Sequence, residues 1–308
     1  MFDCKELKSM KYRIKSMIKF FLKTGYNIIF SCFSLLRVLV FSKYNVKLNS
    51  IKDNGGCYIL GNGPSLKHDL QYNFDFLNDK KIFVVNNFAT SNYYKIIKPK
   101  YYVFADPAYW SLIETSETVK NCKITLEIIR DNTDWEMIIF VPSSAFKNSV
   151  FSDFFKKNKY VTLVDYNTTV ISKKGFDCVN YFLFKKNLAA PHIQNVLVSS
   201  IYISMNIGFS EINILGSDHS WTKELFVNDE NQVCTIDNHF YDVTKVKYNV
   251  FTRIDNSVYK MHEILRDYAL MFEGYHQLKK YGDYLSVKIY NRTENSFIDA
   301  FEKKRINC

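Results

Sequence analysis

From residue 57 onward the sequence alternates between short apolar segments and segments of helix length, and this alternation restricts the fold more than any other feature. Six segments rich in Ile, Val and aromatic residues have the length and composition of strands: 57–60, 81–87, 101–106, 135–143, 160–166 and 211–218. Segments long enough for helices lie between them, among them 66–78, 144–157 and 191–208. Strands and helices alternate in this way in α/β proteins with a doubly wound parallel sheet. The sequence therefore predicts that fold class.

The alternation breaks between residues 219 and 255, a polar stretch without periodicity. A long irregular segment inside a compact domain is usually a functional lid or disordered, and we expect a lid here. An amphipathic helix follows over about 261–278, then a strand at 284–291 and a final helix at 296–304. We therefore assign residues 51–308 to one domain that carries a lid.

Residues 1–50 differ from this body in charge. They hold ten Lys or Arg against two acidic residues, so their net charge of +8 makes up most of the formal net charge of +10 of the whole chain. A basic excess confined to one end argues against a nucleic-acid-binding surface over the whole protein. The longest uncharged run within the apolar stretch 17–41 is 24–36, which at 13 residues is shorter than the roughly 20 that span a bilayer.

This composition favours a pair of basic amphipathic helices, divided near Thr24 and Gly25, that lie in an anionic membrane surface. The alternative is a helical hairpin packed on the domain or on a partner subunit. The seven cysteines are scattered without metal-ligand spacing, which is typical of a reducing compartment. We expect a cytoplasmic protein, peripheral on the inner face of a bacterial plasma membrane. The sequence leaves a homo-oligomer open.

Polar residues follow several of the predicted strands at their carboxyl ends. The four groups are Gly61-Asn62-Gly63-Pro64-Ser65, Asn86-Asn87, Asp106-Pro107 and Gly216-Ser217-Asp218-His219. Ligands of open α/β sheets bind beyond the carboxyl ends of the strands, so we expect these groups to form one site. The first group fits two interpretations. It is either a phosphate-binding turn formed by the backbone N–H groups from Gly63 to Ser65, or a tight turn without a ligand.

These motifs, in this order, resemble those of the bacterial lipooligosaccharide sialyltransferase family. The matching stretches are "GNGPSL", "VVNNF", "VFADPAYW" and "IGFSEINILGSDHSW", within residues 55–245. The same stretches are similar to the related domain of motility-associated glycosyltransferases. The resemblance implies a modified Rossmann domain with a lid. It also implies that this domain transfers sialic acid or a related acidic sugar from a CMP-activated donor to a surface glycan or glycolipid, with inversion of the anomeric centre and without metal or other cofactor.

The resemblance also implies roles for individual residues. Those at the donor nucleotide and its sugar are Gly61, Asn62, Gly63, Ser65, Asn86, Asp106, Ser199, Ser200, Gly216 and Asp218. His239 is the counterpart of the family's catalytic base in the lid. The chain departs from the family where an Asn-Gln-Arg is expected, since His192, Gln194 and Asn195 stand there.

A sugar transfer needs a base for the acceptor hydroxyl and a group that stabilises the departing phosphate. His239 and, as an alternative, His219 are the candidate bases, and Tyr241 and Tyr248 are candidate donors of hydrogen bonds to the phosphate. Asp218 is either a structural acceptor or the nucleophile of a retaining transferase of the CMP-Kdo type. A pterin diphosphokinase-like enzyme and a non-catalytic nucleotide-binding protein are the remaining alternatives.

Overall fold

A computed structural model of the chain describes residues 4–72, 74–111, 117–146, 149–236, 248–253 and 257–306. Its centre is an eight-stranded sheet in which all neighbouring strands are parallel. The strands are β1 (Gly56–Leu60), β2 (Lys81–Val85), β3 (Tyr101–Val103), β4 (Met137–Pro142), β5 (Val161–Tyr166), β6 (Glu211–Leu215), β10 (Lys288–Asn291) and β11 (Glu302–Lys303). They lie in the order β11-β10-β6-β1-β2-β3-β4-β5. The predicted fold class is confirmed.

Helices precede, separate and follow the strands. They are α1 (Cys4–Phe41), α2 (Ser65–Tyr72), α3 (Tyr94–Ile97), α4 (Ala108–Ser111), α5 (Glu117–Asn132), α6 (Ser143–Phe146), α7 (Ser149–Phe155), α8 (Asp177–Lys185), α9 (Val196–Ile207) and α10 (Met261–Leu285). Short 3-10 helices occupy Lys47–Ser50, Phe74–Leu77, Asn86–Thr90 and Ser220–Lys223.

The sheet is buried on both faces. In β1, Cys57 and Ile59 belong to one hydrophobic cluster, together with residues of α8, α9 and α10. Tyr58 and Leu60 point the other way into a second cluster with residues of α2, α5 and α7. Because side chains alternate along a strand, a strand covered on both faces is apolar at most of its positions. This explains the continuous apolar runs that predicted the strands.

The order of the strands reverses between β1 and β6. From β1 the chain adds β2 to β5 on one side, then returns to place β6 on the other side of β1. At such a switch point the turns that follow the two neighbouring strands run in different directions and leave a crevice between them, where ligands of doubly wound sheets bind. The turns in question are those after Leu60 and after Leu215.

These two turns touch through their backbones, which accounts for their glycines. A Cβ on Gly61 would lie 2.3 Å from the carbonyl oxygen of Gly216, and a Cβ on Gly216 would lie 2.8 Å from that of Gly61. Gly216 also has a positive φ of 63°, where a side chain is strained. The sequence places glycine here because no side chain fits between the turns.

The N-terminal segment is one continuous helix, α1, and not the predicted pair divided at Thr24 and Gly25. Thr24 and Gly25 lie within its helical span, because a single glycine costs a helix only about 1 kcal/mol. Beyond this helix the chain continues through Ser42, whose hydroxyl donates to the carbonyl of Leu188 at 2.6 Å. The C-terminal end of α1 is thus fixed on the domain.

The region predicted as an irregular lid contains regular structure. Strands β7 (Phe226–Val227), β8 (Val233–Ile236) and β9 (Tyr248–Val250) form a three-stranded antiparallel sheet in that order. Strands of two, four and three residues are too short to show an alternating pattern, which is why the sequence showed no strand signal. Residues 237–247 and 254–255 of the predicted lid lie outside the described residues.

The predicted final helix at 296–304 is wrong. The segment is irregular up to β11, and it is held by bonds to the end of β6. Ser296 donates its hydroxyl to the carbonyl of Ser217 at 2.6 Å, and Phe297 N–H donates to the carbonyl of Asp218 at 2.9 Å. These tertiary bonds replace the bonds that a local helix would make.

We predict that Gly61→Ala lowers the free energy of unfolding by about 1–3 kcal/mol, because the new methyl group cannot fit against Gly216. Chemical denaturation measures the change. Gly25→Ala on α1 is the matched control, since no heavy atom lies within 4 Å of its Cβ position. Equal unfolding free energies for the two variants would contradict the close contact between the turns.

Candidate active site

A cleft of about 330 Å³ opens at the switch point, beyond the carboxyl ends of the parallel strands. Its walls come from the turns after β1, β2, β3 and β6, together with the start of α9. Seven residues predicted from the sequence line it: Asn62, Gly63, Asn86, Asp106, Gly216, Asp218 and His219. The fold thus brings most of the predicted strand-end residues to one site, as the parallel sheet requires.

The predicted phosphate-binding turn from Gly63 to Ser65 is already occupied by the protein itself. Gly63 N–H donates to the carbonyl of Gly216 at 2.9 Å, and Ser65 N–H lies 3.3 Å from an oxygen of the Asp218 carboxylate. The Ser65 hydroxyl donates to the same carboxylate at 2.8 Å. Asp218 therefore supplies the negative charge that the N-terminus of α2 favours, and the tight-turn interpretation of this motif fits the structure.

Burial raises the pKa of Asp218, while the two bonds from Ser65 lower it. Asp218 is only 8% exposed. A Cβ on Gly63 would lie 2.0 Å from one oxygen of the Asp218 carboxylate. A glycine at position 63 is thus needed to admit the carboxylate. Both observations describe Asp218 as a buried acceptor that joins the β1 and β6 turns.

Two asparagines present unpaired oxygen atoms within the cleft walls. Asn62 donates its side-chain N–H to the carbonyl of Val85 at 3.1 Å, which leaves its Oδ1 as a buried acceptor without a partner. Asn86 Oδ1 is likewise buried and without a partner. A buried acceptor without a donor costs free energy, so both atoms suit a ligand with hydroxyl or amino groups.

Asn86 has a further sign of a functional position. Its φ is +47°, in the left-handed region that few residues other than glycine adopt, and Tyr102 donates its hydroxyl to the Asn86 carbonyl oxygen. Strained backbone of this kind is concentrated at ligand sites. The next residue is different, because Asn87 Oδ1 accepts from the hydroxyls of Tyr109 and Thr125 at 2.7 and 2.8 Å. Asn87 therefore supports the turn.

His219 lies in the cleft wall as part of an aromatic cluster. Its Nε2 lies 2.7 Å from the hydroxyl of Tyr275, and its ring centre lies 4.4 Å from that of Trp221. Burial lowers the pKa of His219 to about 3, so its imidazole is neutral near pH 7 and a weak base. The geometry describes a packing and hydrogen-bonding group, and it does not favour the predicted role of His219 as a base.

The N-terminus of α9 also faces the cleft, which the sequence analysis missed. Asn195 is its N-cap and accepts from Leu197 N–H at 2.8 Å; Asn195, Val196 and Leu197 all line the cleft. The sequence analysis began this helix at residue 191, whereas it begins at Val196. The available signal was Asn195 before an unbroken apolar run, an N-cap pattern. The positive end of a 12-residue helix therefore points at this site.

The described walls of the cleft carry more negative than positive charge. Asp106, Asp218 and Glu224 contribute carboxyl groups, and no Lys or Arg is among the described lining residues. Asp106 accepts from Ala108 N–H at 2.9 Å and so caps the turn after β3. Within the same described part of the chain, no group of three or more His, Cys, Asp or Glu is placed to hold a metal ion.

Several predicted residues do not reach the cleft. Ser199 and Ser200 are fully buried within α9, and Ser200 donates to the Val196 carbonyl at 2.9 Å, so neither can contact a donor. They face the core because nearly every residue of α9 is buried. Tyr248 lies on β9, is 57% exposed and packs against Phe226, away from the cleft walls.

The remaining predicted residues are placed as follows. Gly61 lies behind the cleft wall, where its N–H donates to the Leu215 carbonyl at 2.8 Å. Ser65 lies at the start of α2 against Asp218. His239 and Tyr241 lie outside the described residues, so their roles stay predictions.

Comparisons with known proteins show a structural similarity but no similarity in sequence. No family model and no curated protein matches the sequence. Among solved structures, the chain is similar to the MAf glycosyltransferase from Magnetospirillum magneticum AMB-1, with 13% sequence identity and a TM-score of 0.44. The match covers 86% of this chain and 35% of that one, so the chain spans about a third of the neighbour's length.

The low pKa of His219 predicts a pH dependence of stability. Its pKa falls from the usual 6.5 to about 3 on folding, so the unfolded chain binds the proton first as the pH drops. Stability is therefore complete above pH 6.5 and is lost toward pH 3, by about 1.4 kcal/mol per pH unit.

We expect His219→Gln to remove this loss, so that its unfolding free energy changes less than that of the wild type between neutral and mildly acidic pH. Urea denaturation at the two pH values measures the difference. His262→Gln, at an exposed position of α10, is the control and should keep the wild-type slope. If His219→Gln keeps that slope too, His219 is not the buried neutral group described here.

Proposed function

We propose that the protein is a glycosyltransferase that uses a nucleotide-activated sugar as donor. This proposal rests on two features that lie in the same cleft. They are the side-chain oxygens of Asn62 and Asn86, which have no hydrogen-bond partner, and the N-terminus of α9. The oxygens accept from sugar hydroxyls or a base amino group, and the helix end favours a phosphate. A sugar nucleotide supplies both kinds of group. The resemblance of the strand-end motifs to CMP-sugar transferases supports the same conclusion.

The charge of the cleft favours a donor with a single phosphate. Three carboxyl groups and no described cation would repel a diphosphate, with its two charges, more than the singly charged phosphodiester of a CMP-sugar. The carboxylate of an acidic sugar adds a charge of its own, so this difference applies to the phosphate groups alone. The same argument disfavours the pterin diphosphokinase-like alternative, which has to bind the triphosphate of ATP.

The reaction we propose is a direct displacement. The acceptor oxygen bonds to the anomeric carbon, the bond from that carbon to the phosphate oxygen breaks, and CMP leaves with the bonding electrons. The acceptor proton passes to a base, for which His239 stays our proposal, since the segment that holds it joins β8 to β9. Asp218 is poorly suited to the alternative retaining mechanism, because Ser65 and burial engage its carboxylate.

We predict that the protein releases CMP from a CMP-sugar and that Asn86→Gly raises the KM for that donor about threefold to tenfold. The amide contributes one hydrogen bond, worth about 0.5–1.5 kcal/mol, and glycine keeps the left-handed backbone. Nucleotide release is followed with CMP-sialic acid, CMP-Kdo and a set of UDP- and GDP-sugars.

Asn231→Gly is the matched control, because Asn231 has a similar φ of +57° and is exposed outside the cleft. It should leave KM unchanged. Turnover of UDP- or GDP-sugars alone would overturn the CMP assignment. Absence of turnover with every donor, in a folded protein, would favour the non-catalytic alternative.

We also propose that α1 holds the protein on an anionic membrane surface, based on the polarity of its two faces. The face toward the domain is mainly polar, with Val38 as its buried apolar residue. On this face Ser31 accepts from Phe176 N–H at 2.9 Å, and Ser34 accepts from Ser172 N–H at 3.2 Å. Arg37 donates to the Val170 carbonyl at 2.9 Å. The outward face carries large exposed apolar side chains, among them Ile28, Ile29, Phe33, Leu36 and Leu39.

This arrangement reverses that of a helix in water, which turns its apolar face inward. By length and composition alone, the stretch Lys11–Phe41 could also cross a membrane. Its C-terminal half, however, lies along the domain between Ser31 and Arg37, which favours a helix lying in the membrane surface. Lys11, Lys15, Lys19 and Lys23 recur every four residues on its exposed N-terminal half, so one side of that half is basic.

We predict that reversing the charge of these four lysines to Glu weakens binding to vesicles of phosphatidylcholine and phosphatidylglycerol on the order of a thousandfold, at about 1 kcal/mol per lysine. Vesicle co-sedimentation measures the loss. In the control variant, four exposed lysines elsewhere are changed to Glu: Lys67, Lys95, Lys185 and Lys186. This control variant should bind the vesicles more strongly than the α1 variant does. Equal loss in both variants would overturn the specific role of α1.

A further inference from the structure

A second pocket of about 350 Å³ lies beside the cleft and shares two of its walls. Asn195 and Trp221 line both spaces. The other walls of the second pocket come from the segment before α9, from β8, from the residue after β9 and from α10: Gln194, Thr235, Phe251, Asp267, Tyr268 and Met271. A molecule in this pocket therefore lies directly next to one in the cleft.

The pocket combines an aromatic wall with a few polar groups. The rings of Trp221 and Tyr268 lie 5.7 Å apart at an interplanar angle of 35°. Gln194 and Asp267 add an amide and a carboxylate to the same space. Aromatic faces cover the C–H faces of a pyranose ring, while amide and carboxylate groups bind its hydroxyls, as small-molecule sites do in general.

Thr235 supplies an independent sign of a ligand. It lies on β8 in the wall of the pocket, is 8% exposed, and its hydroxyl oxygen is buried without a hydrogen-bond partner. A buried hydroxyl loses its bonds to water, so one without a partner destabilises the fold unless a ligand completes it. The threonine hydroxyl both donates and accepts, which suits another hydroxyl.

We propose that this pocket is the acceptor subsite and that it binds a neutral pyranoside. Asp267 is the only charged residue among the described walls, so an anionic acceptor would be repelled there. The shared walls at Asn195 and Trp221 place an acceptor hydroxyl at the border of the cleft that holds the donor. This inference rests on the proposed glycosyltransferase function and names the class of acceptor for the same site.

Saturation-transfer NMR on the full chain tests the proposal, with CMP as the donor-site probe. The acceptor-site probes are methyl β-galactopyranoside, methyl β-glucopyranoside and methyl N-acetyl-β-glucosaminide. We expect at least one glycoside to bind in the presence of CMP, and its signal to fall about fivefold in Asp267→Asn and in Tyr268→Ala, the effect of roughly 1 kcal/mol per lost contact. The CMP signal should be unchanged in both variants.

Matched controls make the same chemical changes elsewhere on the surface. Asp134→Asn and Tyr72→Ala alter an aspartate whose side chain is 72% exposed and a tyrosine that is 73% exposed, and they should keep both signals. Binding of CMP without any glycoside, or glycoside signals that persist in both pocket variants, would overturn the acceptor subsite alone. Failure of CMP to bind would overturn the proposed function and, with it, this inference.

Discussion

The contact between the turns after β1 and β6 is the constraint on which the site depends. Gly61 and Gly216 meet backbone to backbone, and Asp218 crosses from one turn to the other to bind Ser65. The contact fixes the carboxyl ends of two adjacent central strands, and Asn62 and His219 stand next to the residues that make it. With these turns fixed, the residues that follow β2 and β3 are also held at the cleft, since β2 pairs in register with β1 and β3 pairs in register with β2.

The general architecture could be predicted because the strands of a parallel sheet covered on both faces have a simple sequence pattern. Such strands are mostly apolar on both faces, so β1, β2, β4, β5 and β6 were found as largely apolar runs. The same reasoning located the strand ends and hence the cleft residues Asn62, Asn86, Asp106 and Asp218. It failed for β7 to β9 and for residues 296–304, whose structure depends on cross-strand pairing and on tertiary bonds such as that of Ser296 to Ser217.

The details of hydrogen bonding could not be predicted from the sequence for a related reason. Whether Ser65 N–H faces a phosphate or a carboxylate depends on where Asp218, more than 150 residues further along, is placed. The neutral state of His219 depends on burial among side chains from α10 and the turn after β6, including Tyr275. Likewise, the burial of Ser199 depends on the sheet that α9 covers. Each of these contacts joins residues that are far apart in the sequence, so no local sequence pattern predicts it.

Asp218 gives the start of α2 an anion that is built into the chain, so this helix end is neutralised before any substrate arrives. The two glycines and the serine of the Gly-Asn-Gly-Pro-Ser sequence are then explained by the folding of the apoprotein, with no contribution from a bound nucleotide. A protein that has lost its chemistry, or never had it, would still need these three residues in order to close the same pair of turns. The amide side chains around the crevice would therefore distinguish transferases from other proteins of this fold better than the glycines beneath it do.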